Sequence, residues 1–219
     1  YTKGSAVLTM LEEFLGTEPF ARTIATYLNQ YKHGHATASD FISSLKGLSE
    51  DAGDALSSFI SQPGLPLLNM RFGCHENTLK VQFEQRRFQP IGAELPESER
   101  GWRPPFCLRS NETPSKVVCG YATPGASFSL GACDDNQVWI PDAGGTAYAR
   151  WNFEDPKRQQ ALIESLPNLT IAERITVGSN AEALLDAGLL SPSQLVDVAE
   201  GLIRAGDRWS QSIAFNWIS

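Results

Sequence analysis

Apolar residues recur with helical spacing through roughly the first 68 residues of the chain. A first stripe ends at Gly16, a residue that favours helix C-termini, and Thr17 then opens a second helix as its N-cap. Thr37 to Asp40 resembles a capping box ahead of a third helix, and a short fourth helix is predicted around Leu56 to Ser61. Because each amphipathic helix must bury its apolar stripe, we expect the four to pack on one another or on a further part of the protein.

Between about Asn69 and Phe153 the spacing changes from helical to alternating. Leu79, Val81 and Phe83 alternate with polar residues, which predicts a strand with one solvated face. Further strands are predicted at Phe106 to Arg109, Lys116 to Tyr121, Ser127 to Leu130, Val138 to Ile140 and Ala147 to Phe153. Short strands separated by Pro and Gly are typical of a small antiparallel sandwich. The Pro-, Glu- and Gly-rich segment 89–103 is predicted to be an exposed loop.

Helical spacing returns after Pro156, where three amphipathic segments are predicted: Gln160 to Leu166, Ile171 to Leu185 and Leu195 to Ile203. Taken together, the patterns predict an α+β, multi-domain chain. Its three sections are a helical part over residues 1–68, a small antiparallel β-sandwich over 69–154 and the beginning of a second helical part over 155–219.

The composition is that of a folded globular protein. Hydrophobic residues make up 42% and charged residues 20% of the 219-residue chain, which excludes a disordered tail. No run of residues approaches the ~18 apolar positions of a spanning helix, so no membrane span is expected. The net charge of -7 and the scattered basic residues argue against a nucleic-acid partner, and the Arg86-Arg87 pair is predicted to be a solvated strand face.

The four cysteines, Cys74, Cys107, Cys119 and Cys133, form no C-x-x-C pair, so a zinc ribbon is disfavoured. A Cys119–Cys133 disulfide would form if the Thr123-Pro124-Gly125 run is a turn between neighbouring strands; the alternative is buried free thiols. That disulfide would favour a periplasmic or extracellular location, and the compartment is otherwise open.

The histidines and two Asn-x-Thr triplets are weak candidates for functional sites. His33 and His35 have a spacing that places them on different sides of a helix, unlike the i, i+4 pair of a metalloprotease helix, so both are predicted to lie in a loop. His75 has no second pair of metal ligands near it in the sequence and is predicted to lie in a turn. The triplets that begin at Asn111 and Asn168 fit the glycosylation rule, but chance matches to that rule are common.

A series of local patterns occurs in an informative order along the chain. They are Tyr1-x-Lys3-Gly4 followed by Met10-Leu11 and Gly16, Ala36-Thr37 with Asp40-Phe41, Gln62-Pro63-Gly64-Leu65-Pro66, and Trp139-Ile140-Pro141-Asp142 followed by Gly145, Tyr148 and Arg150. In this order, and over nearly the whole chain, they resemble the zinc aminopeptidases related to aminopeptidase N, the gluzincin family. The resemblance implies the helical part of a thermolysin-like catalytic domain, then a β-sandwich, then the start of an α-helical, solenoid-like domain.

The sequence departs from that family at several positions. Phe59, Leu65 and Asp142 stand where the family usually has tryptophan, an aromatic residue and asparagine; these are packing or turn positions. The family's H-E-x-x-H helix, its later zinc-binding glutamate and its G-x-M-E-N segment are absent from the sequence. Because the chain also opens at Tyr1 without a methionine, directly ahead of a helix, we expect it to be the rear part of a longer enzyme. Zinc is then a cofactor of the parent protein, with no cofactor and no activity expected in this piece alone.

The resemblance identifies Tyr1 as the catalytic residue. A phenol with a reference pKa of about 10 stays protonated at neutral pH and can donate a hydrogen bond as negative charge builds on the former carbonyl oxygen of a peptide. The parent protein would remove N-terminal residues from peptide substrates. One alternative is a catalytically inactive relative that serves as a scaffold for protein partners. Another is a free-standing β-sandwich adhesin module over residues 69–154 with helical flanks.

Overall fold

The computed structural model of the chain describes residues 1–94, 100–134 and 136–218. Within these ranges the chain forms eight α-helices, seven β-strands and one 3-10 turn, which confirms the α+β class. Residues 95–99 of the predicted 89–103 loop lie outside the described ranges. None of the helices in these ranges combines the length and the apolarity needed to cross a membrane.

Four helices come first: α1 (Thr2–Leu15), α2 (Thr17–Gln30), α3 (Ala38–Leu48) and α4 (Glu50–Ile60). Gly16, at φ 91°, separates α1 from α2, and the predicted capping box of Thr37 is present. Helix α4 begins well before the predicted Leu56. Its first half buries small residues, and a Cβ added to Gly53 would lie 3.0 Å from the carbonyl oxygen of Ile42 in α3. Small residues give a weak hydrophobic pattern, which explains why the sequence does not reveal the start of this helix.

The strands are β1 (Pro66–His75), β2 (Thr78–Arg87), β3 (Pro105–Ser110), β4 (Val117–Tyr121), β5 (Ser127–Ala132), β6 (Trp139–Pro141) and β7 (Arg150–Phe153). They form a four-stranded sheet in the order β5-β2-β1-β7 and a three-stranded sheet in the order β4-β3-β6. The two sheets share one core, in which the rings of Phe83 and Phe106 lie 5.8 Å apart. Strand β7 runs parallel to β1, so the prediction of a wholly antiparallel arrangement is wrong at that edge.

Strand β1 begins at Pro66, earlier than the change of pattern predicted at Asn69. Leu67 and Leu68 are both buried, so neighbouring positions of the strand do not alternate there. A strand that is buried on both faces reads as a continuous apolar run, and its period cannot be told from that of a helix.

The segment between β2 and β3 is not wholly exposed, in contrast to its prediction as an exposed loop. Trp102 is 1% exposed and packs into the core of the first four helices. Gln85 of β2 holds this residue, because its Oε1 accepts the backbone N–H of Trp102 and its Nε2 donates to the carbonyl oxygen of Trp102 at 3.1 Å. Trp102 thus provides one connection between β2 and the core of the first four helices.

The chain ends in α5 (Pro156–Ser165), a 3-10 turn (Leu166–Asn168), α6 (Ile171–Asp186), α7 (Pro192–Ala205) and α8 (Arg208–Ile218). The sequence pattern does not predict α8, because its apolar residues do not form one stripe: Ala214 is buried, whereas Trp209 and Phe215 are exposed. The side chain of Asn180 in α6 makes two hydrogen bonds with the backbone of Trp151 in β7. Its Oδ1 accepts the N–H of Trp151 at 3.1 Å, and its Nδ2 donates to the carbonyl oxygen of Trp151 at 2.8 Å. Helix α6 therefore completes the hydrogen bonding of an edge strand.

The disulfide prediction is wrong. Cys107 pairs with Cys119, directly opposite in the β3–β4 register, and Cys74 pairs with Cys133. Strands β4 and β5 belong to different sheets, so the turn at residues 123–125 does not bring Cys119 and Cys133 together. The alternative of free thiols is also wrong, because all four cysteines are paired.

A buried ion pair joins the three-stranded sheet to α6. Arg109 of β3 donates from Nε and Nη2 to the two carboxylate oxygens of Glu173, the second bond being 2.7 Å long. The N–H and the hydroxyl of Thr170 donate to the same carboxylate, each at 2.9 Å, as part of a capping box. Burial alone would raise the pKa of Glu173, but the hydrogen bonds from Arg109 and Thr170 outweigh it and hold that pKa below its usual value.

A second buried carboxylate lies in the turn after β6. Asp142 is 2% exposed and has the left-handed φ of 51° that asparagine and aspartate tolerate best among non-glycine residues. Its Oδ1 accepts the N–H groups of Thr146 and Ala147 at 3.1 and 2.9 Å. Burial raises the pKa of Asp142 to about 6, against the two backbone hydrogen bonds that lower it.

Replacing Glu173 by Gln should cost about 3–5 kcal/mol of unfolding free energy at neutral pH, because it leaves the guanidinium of Arg109 buried without a counter-charge. Since the pKa of Glu173 is lowered in the folded state, the difference from the wild type is fully present above the ordinary value of 4.5 and shrinks as the pH falls below it. Urea unfolding at a series of pH values measures this difference. The matched control is Glu154→Gln at the exposed Arg71–Glu154 pair, where the loss should stay under about 1 kcal/mol. Equal losses of unfolding free energy in the two variants would contradict the prediction that breaking the buried Arg109–Glu173 pair is the more costly change.

Replacing Asp142 by Asn should stabilise the chain at neutral pH. The amide keeps an oxygen for both backbone N–H groups but carries no charge into the buried site, and the shift of the pKa from 3.8 to about 6 corresponds to a gain of up to about 3 kcal/mol. Since the pKa of Asp142 is raised in the folded state, the cost of burying its charge is absent at pH values below the ordinary pKa of 3.8. It reaches its full size only at pH values above about 6. Unfolding curves of the two proteins should therefore coincide near pH 3.5 and separate by pH 7; a gain that did not depend on pH would contradict this explanation.

Candidate functional site

Tyr1 lies immediately before α1, in the N-cap position, and its side chain does not cap the helix. Its carbonyl oxygen accepts the N–H of Ser5 at 2.9 Å, which begins the helical hydrogen bonding. The ring is fully exposed, and the phenol makes no hydrogen bond with the described part of the chain. The hydroxyl of Tyr1 is therefore open to a partner that approaches from solvent.

Two cations hold the α4–β1 turn, which consists of Gln62, Pro63 and Gly64. The Nζ of Lys3 donates to the carbonyl oxygens of Gln62 at 2.7 Å and Gly64 at 3.0 Å. The Nη1 of Arg87 donates to the carbonyl oxygen of Pro63 at 2.8 Å. Three consecutive carbonyl groups are thus bound by side chains from α1 and β2. Of the pair predicted to be a solvated strand face, Arg86 is exposed, whereas Arg87 is half-buried against this turn.

In this turn the side chains of Lys3 and Arg87 lie close to the backbone and to each other. Burial lowers the pKa of Lys3, and the positive charge of Arg87 lowers it further. The two cations nevertheless share the turn, because each binds different carbonyl oxygens. Gly64 has a φ of 86°, and a Cβ at this position would lie 3.3 Å from the Nη1 of Arg87, so both the backbone conformation and the packing favour glycine.

An apolar pocket of about 590 Å³ opens beside the first turns of α1. Its walls come from α1, α3, α4 and the α4–β1 turn, and include Lys3, Gly4, Val7, Leu8, Phe41 and Phe59. A Cβ added to Gly4 would meet no atom within 4 Å, so packing inside the described chain does not require glycine there. The pocket has the volume and the apolar lining of a site for a hydrophobic group.

The histidines do not form a metal site. His33, with a φ of 61°, and His35 lie in the loop between α2 and α3, as predicted, and His75 lies at the end of β1, 3.9 Å from a carboxylate oxygen of Glu76. Among the described residues, no group of three or more His, Cys, Asp and Glu side chains is placed to hold a metal ion. These residues therefore do not fit a zinc site.

The contact between Lys3 and the α4–β1 turn is a feature that the sequence patterns do not reveal. Both segments stand out in the sequence, one as Tyr1-x-Lys3-Gly4 and the other as the Gln-Pro-Gly run at 62–64. They are about 60 residues apart along the chain, and only the packing of α1 beside α4 brings them together. The glycine and proline content of the turn was the available signal, because such turns leave carbonyl groups that need partners.

The first part of the chain matches a known protein family. The model of the Peptidase family M1 domain matches residues 1–62. This segment holds Tyr1 and Lys3 and ends in the α4–β1 turn.

Several aminopeptidases are similar to the chain over different lengths. Aminopeptidase 2 of Candida albicans is 26% identical over 227 residues, which cover 100% of this chain and 23% of that protein. Puromycin-sensitive aminopeptidase of Caenorhabditis elegans is 24% identical over 208 residues, which cover 91% of this chain and 21% of that protein. Probable aminopeptidase 2 of Sulfurisphaera tokodaii is 38% identical over 89 residues, which cover 40% of this chain and 11% of that protein. The chain thus spans between 11% and 23% of the length of these relatives.

Replacing Lys3 by Met should lower the unfolding free energy by about 1–3 kcal/mol, because two half-buried carbonyl groups lose a charged donor while the apolar stem is kept. Lys32→Met is the matched control: Lys32 is exposed, its side chain has no hydrogen-bond partner in the described chain, and its replacement should change stability by less than about 0.5 kcal/mol. Urea unfolding measures both variants. If Lys3→Met matched Lys32→Met, the carbonyl contacts would contribute nothing to stability.

Proposed function

We propose that this chain, whose residues 1–62 match the Peptidase family M1 domain, is an aminopeptidase N-like member of that family and part of a zinc-dependent aminopeptidase in which Tyr1 stabilises the oxyanion. The proposed substrates are peptides, from which the whole protein removes N-terminal residues. The chain alone is proposed to be inactive, because its sequence has no H-E-x-x-H motif to supply metal ligands and a general base.

The observation that carries the proposal is the placement of Tyr1. Its phenol is fully exposed and stands at the start of a helix inside the segment that matches the family's domain. Two residues further on, Lys3 fastens the same helix to the α4–β1 turn. A hydroxyl on an anchored helix end meets the requirement that a catalytic donor be held in position before the substrate arrives.

The chemistry suits a phenol. Attack on a peptide carbonyl places negative charge on the former carbonyl oxygen, and a donor already aimed at that oxygen stabilises the charge as it forms. A tyrosine hydroxyl, with a reference pKa of about 10, keeps its proton at neutral pH and is therefore able to donate. Its role is to stabilise charge, and no transfer of its proton is required.

The domain layout is part of the same proposal. Residues 1–68 are proposed to complete a thermolysin-like catalytic domain, residues 69–154 to form a β-sandwich, and residues 155–219 to begin an α-helical, solenoid-like domain. The separate core of the first four helices and the continuous core of the sheets with the later helices support this division.

Zinc is proposed as a cofactor of the whole protein. Because the described residues do not fit a metal site, the zinc ligands and the general base are assigned to a part of the protein outside this chain. The chemical role assigned to this chain is oxyanion stabilisation by Tyr1.

In the full-length protein, Tyr1→Phe should lower kcat on aminoacyl reporter substrates by about 10²–10³-fold, with a small change in KM, because the donor acts mainly as charge develops. Tyr31→Phe is the matched control. Its hydroxyl interacts with Gln30 and Asp40 on another helix end, and its loss should leave kcat within about twofold of the wild type. Steady-state kinetics with and without a chelator measure both variants.

Two results would contradict the proposal. Unchanged kcat in Tyr1→Phe would remove the catalytic assignment of Tyr1. Absence of chelator-sensitive release by the full-length wild type would favour the alternative, an aminopeptidase-like scaffold for protein partners.

A further inference from the structure

The 3-10 turn after α5 presents an asparagine to solvent. Asn168 ends this turn and is exposed, and its side chain makes no hydrogen bond with the described part of the chain. The next residue, Leu169, is buried and fixes the backbone, and Thr170 is the N-cap of α6. The sequence Asn168-Leu169-Thr170 thus places an acceptor triplet for N-glycosylation on an ordered surface turn.

The chain contains a second such triplet in a different setting. Asn111 is half-buried, and its Nδ2, the atom that would carry a sugar, lies 3.4 Å from the hydroxyl oxygen of Ser165. Its backbone N–H donates to the carbonyl oxygen of Val138 at 2.9 Å, which fixes the residue between two elements. A glycan on Asn111 would break the contact with Ser165, whereas a glycan on Asn168 would break no contact of that kind.

The cysteines supply independent support for the modification. All four are joined in two disulfides, Cys74–Cys133 and Cys107–Cys119. Neither bond lies in a deep core, since Cys74 and Cys119 are exposed. Structural disulfides at exposed positions form and persist in oxidising compartments, which are also where Asn-x-Thr triplets acquire glycans.

We propose that Asn168 carries an N-linked glycan and that the protein matures in an oxidising, glycosylating compartment. In this reaction the Nδ2 of Asn168 loses a proton and bonds to the anomeric carbon of an oligosaccharide. The co-reactant is a lipid diphosphate-linked oligosaccharide, whose bond from the anomeric carbon to the diphosphate breaks; the lipid diphosphate leaves with the bonding electron pair, and the proton passes to solvent.

The surroundings of Asn168 leave room for the first sugars. Asn168 lines a groove of about 700 Å³ at the junction of the three-stranded sheet and α6, together with Arg109, Glu173 and also Asn111. A glycan on Asn168 would cover this junction with a polar layer. The proposal is independent of the catalytic role assigned to Tyr1.

Mass spectrometry of the full-length protein isolated from the organism that makes it tests the proposal. Peptide N-glycosidase treatment in ¹⁸O-water should convert Asn168 into labelled aspartate and leave Asn111 as asparagine. A peptide map of the protein alkylated before reduction should show Cys74 linked to Cys133 and Cys107 linked to Cys119. An unmodified Asn168, modification of Asn111 instead, or cysteines alkylated without reduction would each overturn the proposal.

Variants produced in the same organism give a second readout on gels. Asn168→Gln should lose the mobility shift that glycosidase treatment removes from the wild type, and Asn111→Gln should keep it. Thr170→Ser should also keep the shift, because serine preserves both the acceptor triplet and the N-cap hydroxyl of α6. A shift that persisted in Asn168→Gln would exclude this residue as the glycan site.

Discussion

The backbone carbonyl groups of the α4–β1 turn determine how α1 is placed relative to the four-stranded sheet. A half-buried carbonyl group without a partner is costly, and here those of Gln62 and Gly64 bind Lys3, while the carbonyl group of the exposed Pro63 binds Arg87. Because Lys3 belongs to the first turn of α1 and Arg87 to the end of β2, the turn cannot shift without loosening both elements. The helix end that presents Tyr1 is thereby fixed relative to the four-stranded sheet.

A second set of polar contacts fixes the later helices to the same sheets. Arg109 and Glu173 form the ion pair between β3 and α6, and Asn180 completes the backbone pairing of Trp151 in β7. All of these groups are nearly buried, so their polar atoms have few alternative partners in other arrangements. The apolar core is continuous from the sheets to the C-terminal helices, whereas α1, which follows Tyr1, belongs to the separate core of the first four helices.

Asp142 and the two disulfides make the stability of this fold depend on the pH and on the redox state of its environment. Aspartate tolerates the left-handed turn after β6, but it places a carboxylate where asparagine would carry no charge, so the turn gains a dependence on pH. The Cys74–Cys133 bond joins the end of β1 to the residue after β5, and the Cys107–Cys119 bond joins β3 to β4. Crosslinks at such positions act largely by restricting the unfolded chain and need an oxidising environment to persist.

Local physical chemistry by itself determined much of this protein. Helix periodicity, the glycine after α1 and the capping box of Thr37 depend on residues within a turn or two of one another, so the sequence alone predicts the early helices and the α+β class. The same local motifs indicated the family and drew attention to Tyr1 as a candidate, whose catalytic role stays a prediction. Tertiary structure decided the partners of Lys3, Trp102 and the four cysteines, and the parallel placement of β7. Those outcomes depend on which distant segments share a sheet or a core, and residue spacing along the chain carries no direct record of that choice.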